Sequence, residues 1–178
     1  MAVDPKRLVA LDFEASCLPS AGRSYPIEVG LAWVATGETR TWLIRPAAAW
    51  ASWTWDAVSQ AVHGIERELL EAVGKPVDVV ARELLEAVGD GQLVSDAARL
   101  DGLWLATLLN AAGIAERPPV LDLESVLDDL SDGGLAGAGQ VDDAINEARR
   151  RYPKAIHRAD ADARRTAEAI RILAGLAK

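Results

Sequence analysis

Asp12 and Glu14 stand two residues apart in the stretch Leu11-Asp12-Phe13-Glu14, at the end of an apolar run. In an extended strand such side chains share a face, roughly 6–7 Å apart. Two anions held side by side against apolar neighbours repel each other and resist desolvation. A divalent cation offsets both costs. A strand that simply ends, leaving both acids in water, has the same spelling.

Hard cations such as Mg²⁺ and Mn²⁺ take carboxylate oxygens. Two-metal phosphoryl chemistry gathers several carboxylates around ions roughly 3.5–4 Å apart. Further acids and a base are therefore expected at later element ends. Asp101 opens a helix behind the short strand Gln92–Ser95. Near the C-terminus comes His157-Arg158-Ala159-Asp160-Ala161-Asp162-Ala163. A histidine followed five residues later by an aspartate, at the mouth of a helix, can supply a base and a ligand together. His157 is one of only two histidines in the chain.

The elements that must position these groups follow from periodicity and breakers. Residues 6–13, 26–35 and 39–45 read as strands, the last two joined by the turn Thr36-Gly37-Glu38. Helical spacing follows at 55–62, 66–73 and Val77–Val88, the last behind Pro76. Strand Gln92–Ser95, helix 100–112, strand 119–122 and helix Leu123–Leu130 come next. The Gly- and Ala-rich stretch 131–139 reads as a loop, and 141–151 and 160–176 as the last helices. The expected fold is α/β: a mixed five-stranded sheet, an antiparallel meander plus two parallel strands, flanked by helices. That order of elements is the one found in ribonuclease-H-like folds.

Composition bounds the setting. The chain has 178 residues, half of them hydrophobic and 26% charged, enough for one domain over 1–178 with a sizeable core. There is no internal repeat or domain linker. One cysteine, Cys17, forbids an internal disulfide and suits a reducing, cytoplasmic setting. No run is long or apolar enough for a signal peptide or a membrane span. The net charge of −8 argues against coating nucleic acid by bulk electrostatics. The charge is uneven: residues 149–178 hold nine Lys and Arg against three acids, +6, which leaves −14 on residues 1–148. A basic tail allows a local phosphate contact, or is a solvated helix face.

The set Asp12-x-Glu14, Asp101 and His157-x4-Asp162 resembles the DEDDh 3′→5′ exonucleases, the DnaQ-like group. That group includes proofreading subunits of DNA polymerase III, ribonuclease T and oligoribonuclease. The resemblance runs from Leu8 to Leu173. Asp12-Phe13-Glu14-Ala15-Ser16-Cys17-Leu18 looks like the first motif, and Pro26-Ile27-Glu28-Val29-Gly30 like the second-strand pattern. Ala61-Val62-His63-Gly64-Ile65 looks like the His-Gly-Ile element, and His157-Arg158-Ala159-x-x-Asp162-Ala163 like the third motif. The second motif departs. Where the family has His-Asn-x-x-Phe-Asp, this chain has Asp96-Ala97-Ala98-Arg99-Leu100-Asp101. Asp101 takes the ligand position and Leu100 replaces the aromatic. Asp96 stands at the His position, either as an acid behind the ligands or as a helix N-cap.

The resemblance implies a metal-dependent 3′→5′ exonuclease acting on the 3′ ends of single-stranded DNA or RNA and releasing nucleoside 5′-monophosphates. Asp12, Glu14, Asp101 and Asp162 would hold two Mg²⁺ or Mn²⁺ ions, with Asp12 bridging them, and His157 would be the general base. Asp160 falls at the wrong spacing for a ligand. Ala15, Ser16 and His63 are the implied substrate contacts, with His63 equally read as a cap in the Gly64 turn. Arg158, beside the third motif, suits a contact with the phosphate backbone. Glu28 either approaches the pocket or, the favoured reading, ends a strand pair. Relatives of this size are often homodimers. Trp50, Trp53 and Trp55 are either a base-stacking platform or a loop packed on the core. Two other readings stand beside this one. One is a DnaQ-like module that binds nucleic acid or a polymerase without cutting. The other is a phosphatase with an aspartate nucleophile, which Glu14 fits poorly.

Overall fold

The computed structural model describes residues 3–131, 137–153 and 157–177. Asp4 caps a 3-10 turn over Pro5–Arg7 through the Lys6 N–H, 3.0 Å away. Lys6 and Arg7 are therefore in the turn, and β1 runs Leu8–Ala15. It lies at the centre of a five-stranded sheet of order β3-β2-β1-β4-β5. β2 (Pro26–Trp33) pairs antiparallel with β1 and with β3 (Thr39–Leu43). β4 (Gln92–Ser95) and β5 (Val120–Asp122) continue the sheet in parallel. This is the mixed sheet expected from the sequence, in a ribonuclease-H-like fold.

Seven helices accompany it among the described residues: α1 (Ala57–His63), α2 (Arg67–Val73), α3 (Val77–Val88), α4 (Ala98–Ala111), α5 (Leu123–Leu130), α6 (Gly137–Arg151) and α7 (Ala159–Leu173). None is long and apolar enough to cross a membrane. The strands alternate, so each face builds its own core. Val9, Leu11 and Phe13 pack with Leu31, Trp42, Leu84 of α3 and Leu108 of α4. Leu8 and Ala10 face the other way, onto Ala32, Val126 of α5 and Ala163, Ala167 and Ile170 of α7. Asp12 and Glu14 continue this even-numbered series, which turns them toward α7.

Several boundaries move for local reasons. β1 runs past Phe13 because Glu14 still pairs with Glu28, so the two acids lie within the strand. β2 stops at Trp33, where Gly37 closes a turn by donating to the Trp33 carbonyl at 2.7 Å with φ of 75°. α1 starts at Ala57, behind an Asp56 cap that accepts from Ser59 N–H at 2.9 Å. α4 starts at Ala98, and α7 spans Ala159–Leu173 rather than 160–176. Of the expected loop 131–139, residues 132–136 lie outside the described residues and Gly137–Gly139 are helical. A 3-10 turn at Ala48–Trp50 was not anticipated.

Candidate active site

β1 presents Asp12 and Glu14 to a cavity of about 440 Å³ at the carboxyl end of the parallel strands. Asp101 joins them from the first turn of α4. It is 1% exposed and held from two sides. The Phe13 N–H donates to its Oδ1 at 3.2 Å, and the Ser95 hydroxyl donates to its Oδ2. Ser95 Oγ in turn accepts from Ala97 N–H at 2.8 Å, so the end of β4 fixes the carboxylate's angle. Asp162 arrives one turn into α7, buried, with the Arg165 guanidinium on its Oδ1. His157 precedes that helix. Its N–H donates to the Val62 carbonyl at 3.3 Å, and its Nδ1 lies 3.6 Å from Asp162 Oδ2.

These side chains form two groups whose ligand atoms all lie within 4.8 Å of one another: Asp12, Asp96 and Asp101, and Glu14, His157 and Asp162. Their mutual field is unfavourable. Burial, then the charges of Asp101, Glu14, Asp162 and Asp96, push the Asp12 carboxyl well above the usual range. Asp12 is half-buried and lines the cavity. Burial likewise pushes Asp101 up to about 7, against the opposing pull of the Ser95 hydroxyl. All-oxygen donors plus one imidazole, crowded and short of positive charge, are the donor chemistry that hard divalent ions fit.

The structure thus brings Asp12, Glu14, Asp101, Asp162 and His157 into one cavity. It adds Asp96, which does not cap α4: Ala97 occupies the cap position and no side chain caps that helix. Ala15 lines the cavity. Ser16 does not. It is buried, its hydroxyl accepts from Tyr25 N–H at 3.1 Å, and its carbonyl accepts from Asp56 N–H at 2.9 Å. His63 lines the cavity from the end of α1, where Gly64 turns the chain at φ of 67°. Its Nδ1 accepts from Ile65 N–H at 3.0 Å, and burial lowers its pKa, so the proton of the neutral ring sits on Nε2. That atom is buried and has no partner among the described residues. Arg158 lies outside the cavity, with its guanidinium on Glu28. The indoles sort themselves: Trp50 is 3% exposed and stacks on Tyr25 at 5.3 Å.

Sequence reasoning missed the apolar walls, Val58 and Val62 of α1, with Trp104 of α4 opposite. It also misread Glu28. Far from ending a strand pair, Glu28 is wholly buried under α7.

No protein-family profile matches the chain, and none of the curated proteins matches it. Solved structures do. E. coli exonuclease I in complex with a dA16 oligonucleotide is similar at a TM-score of 0.66 and 13% identity, over 92% of this chain and 40% of that one. A product-bound exonuclease I is similar at a TM-score of 0.64 and 14% identity, over 93% of this chain and 42% of that one. A zinc-bound complex of the E. coli enzyme with single-stranded DNA is similar at a TM-score of 0.55 and 13% identity, over 72% of this chain and 31% of that one. The chain therefore spans about two fifths or less of the length of these proteins, and what it shares with them is the fold of the matched part.

Proposed function

We propose that the protein is a metal-dependent 3′→5′ exonuclease that hydrolyses single-stranded DNA or RNA and releases nucleoside 5′-monophosphates. The observation that carries this reading is the convergence of Asp12, Glu14, Asp101, Asp162 and His157 at the floor of one cavity. The likeness to exonuclease I bound to single-stranded oligonucleotides supports the substrate class. The four carboxylates would hold two Mg²⁺ or Mn²⁺ ions, Asp12 and Asp101 belonging to one group and Glu14 and Asp162 to the other. Bound there, such ions acidify a water and stabilise a leaving oxygen.

The chain's own residues do the rest. His157 takes the proton of the attacking water, the general-base work for which an imidazole is the usual side chain. Asp162 Oδ2 beside Nδ1 steadies the ring. Val58, Val62 and Trp104 give the terminal nucleoside an apolar seat that excludes water. Ala15 borders that seat, and Ser16 braces the turn behind it. His63 would turn its Nε2–H, buried and without a partner among the described residues, toward the nucleotide.

The test uses 5′-labelled single-stranded DNA and RNA with Mn²⁺, Mg²⁺ or EDTA. Stepwise shortening that needs metal, and that falls by about 10²–10⁴-fold in His157→Ala, is expected. Binding without cleavage under every metal condition would replace this reading with a non-catalytic nucleic-acid module.

A further inference from the structure

Glu28 carries a buried charge that the proposed chemistry does not use. It is 0% exposed and lies in β2 between Ile27 and Val29, opposite Glu14 in the strand register. A lone carboxylate there would be costly, and an apolar side chain would fill the site at less expense. Its charge is met by two successive residues next to His157. Arg158 Nε lies 3.1 and 3.0 Å from the two Glu28 oxygens, and its Nη2 donates to Oε1 as well. The Ala159 N–H donates to Oε2 at 3.0 Å. Ala159 is the first residue of α7, whose N-cap residue, Arg158, makes no side-chain cap of its own. The sheet therefore supplies the cap, with an anion at the positive end of the helix. Two strand positions on, Gly30 lets the helix come this close: a Cβ there would stand 2.3 Å from the Ala159 carbonyl carbon and oxygen.

We infer that Glu28 is a positioning residue: by clamping Arg158 and the Ala159 N–H to the sheet, it fixes where His157 stands over the carboxylates. His157 is then tethered on both counts, by its own N–H to Val62 and by the next two residues to Glu28. Arg158 suits the clamp because its planar fork meets both carboxylate oxygens, which a lysine cannot do. Asp162 N–H also donates to the Arg158 carbonyl at 3.0 Å, but the Asp162 carboxylate has a second hold, the Arg165 guanidinium on its Oδ1. Loosening the clamp therefore displaces the base more than the ligand. This inference rests on the reading of His157 as the base.

The experiment is a double-mutant cycle on exonuclease activity with Mn²⁺, well below each variant's melting temperature. Glu28→Gln is expected to lower kcat about 10–100-fold, the effect of misplacing a reacting group by about 1 Å. KM and calorimetric Mn²⁺ affinity stay unchanged. In the His157→Ala background the same substitution costs nothing more, because the group it positions is gone. Arg158→Lys runs the same cycle if Glu28→Gln does not fold. An equal loss in both backgrounds, or a loss explained by Mn²⁺ affinity, overturns the inference and leaves His157 as the base. If His157→Ala keeps full kcat, the reading of the base falls and the inference falls with it.

Discussion

Asp101→Asn is expected to stabilise the metal-free protein at pH 8 while abolishing its response to metal. Asp101 is 1% exposed, and its carboxyl is pushed from 3.8 to about 7. The folded state therefore keeps a proton that the unfolded chain releases above pH 4. Stability then falls as pH rises from about 4 to about 7, and the fall is complete above that. Moving one carboxyl that far costs the fold about 4 kcal/mol at pH 8. Asp12 acts in the same direction. The acids held below their usual range, Asp56, Asp78, Glu83 and Glu147, act oppositely, but only below about pH 4.5. His63, whose pKa burial lowers, also acts oppositely and does so up to about pH 6.5, inside this window, so the slope is read as the difference between wild type and Asp101→Asn. Asparagine keeps the acceptor for Phe13 N–H and deprives the Ser95 hydroxyl of one, a loss of about 1–3 kcal/mol. The net gain at pH 8 is then about 1–3 kcal/mol. Urea unfolding in EDTA at pH 5, 6, 7 and 8 measures it, and repeating the series with Mn²⁺ adds the metal term. Wild type should gain about 2.7 kcal/mol at a metal concentration 100 times Kd, and the variant almost none. A slope from pH 5 to 8 in EDTA that is the same in wild type and Asp101→Asn would refute the reasoning.

Three further outcomes follow from the packing. Gly30→Ala should cost about 1–3 kcal/mol and lower kcat, because the new Cβ meets the Ala159 backbone at 2.3 Å; unchanged melting and kcat would contradict the close approach of α7. Trp50→Ala should cost about 3–5 kcal/mol with KM unchanged, as befits a core indole stacked on Tyr25; a raised KM at full stability would restore the base platform. Ser95→Ala should weaken calorimetric Mn²⁺ binding about 10–100-fold, since that hydroxyl aims the Asp101 carboxylate; unaltered affinity would show that Phe13 N–H alone suffices.

What could be read from the sequence was whatever period and spacing encode. The even-numbered face of β1 places Asp12 beside Glu14, and five residues from His157 to Asp162 span the start of a helix. Glu28 could not be read this way. A buried acid and a strand-ending acid are spelled alike, and the partner that decides between them, Arg158, lies 130 residues on. Ser16 sits inside a matched motif, yet the chain turns at Ala15 and takes the side chain out of the cavity. Asp96 has the composition of a cap, but the Ser95 hydroxyl takes the Ala97 N–H. The three residues 137–139 looked like loop because glycine costs about 1 kcal/mol in a helix. Packing of α6 through Ala144 and Ala148, both buried, sustains that helix regardless.

The central claim is that this cavity removes nucleotides one at a time from a 3′ end with the help of metal. The most direct measurement compares 5′-labelled oligonucleotides, DNA and RNA, with a free or a blocked 3′ terminus, in Mn²⁺ and in EDTA, for wild type and Asp12→Ala. The account predicts a single-nucleotide ladder and nucleoside 5′-monophosphates from the free end only, with metal only, and not from Asp12→Ala. Internal cuts in the blocked substrate, or cleavage that persists in EDTA or in Asp12→Ala, would contradict it.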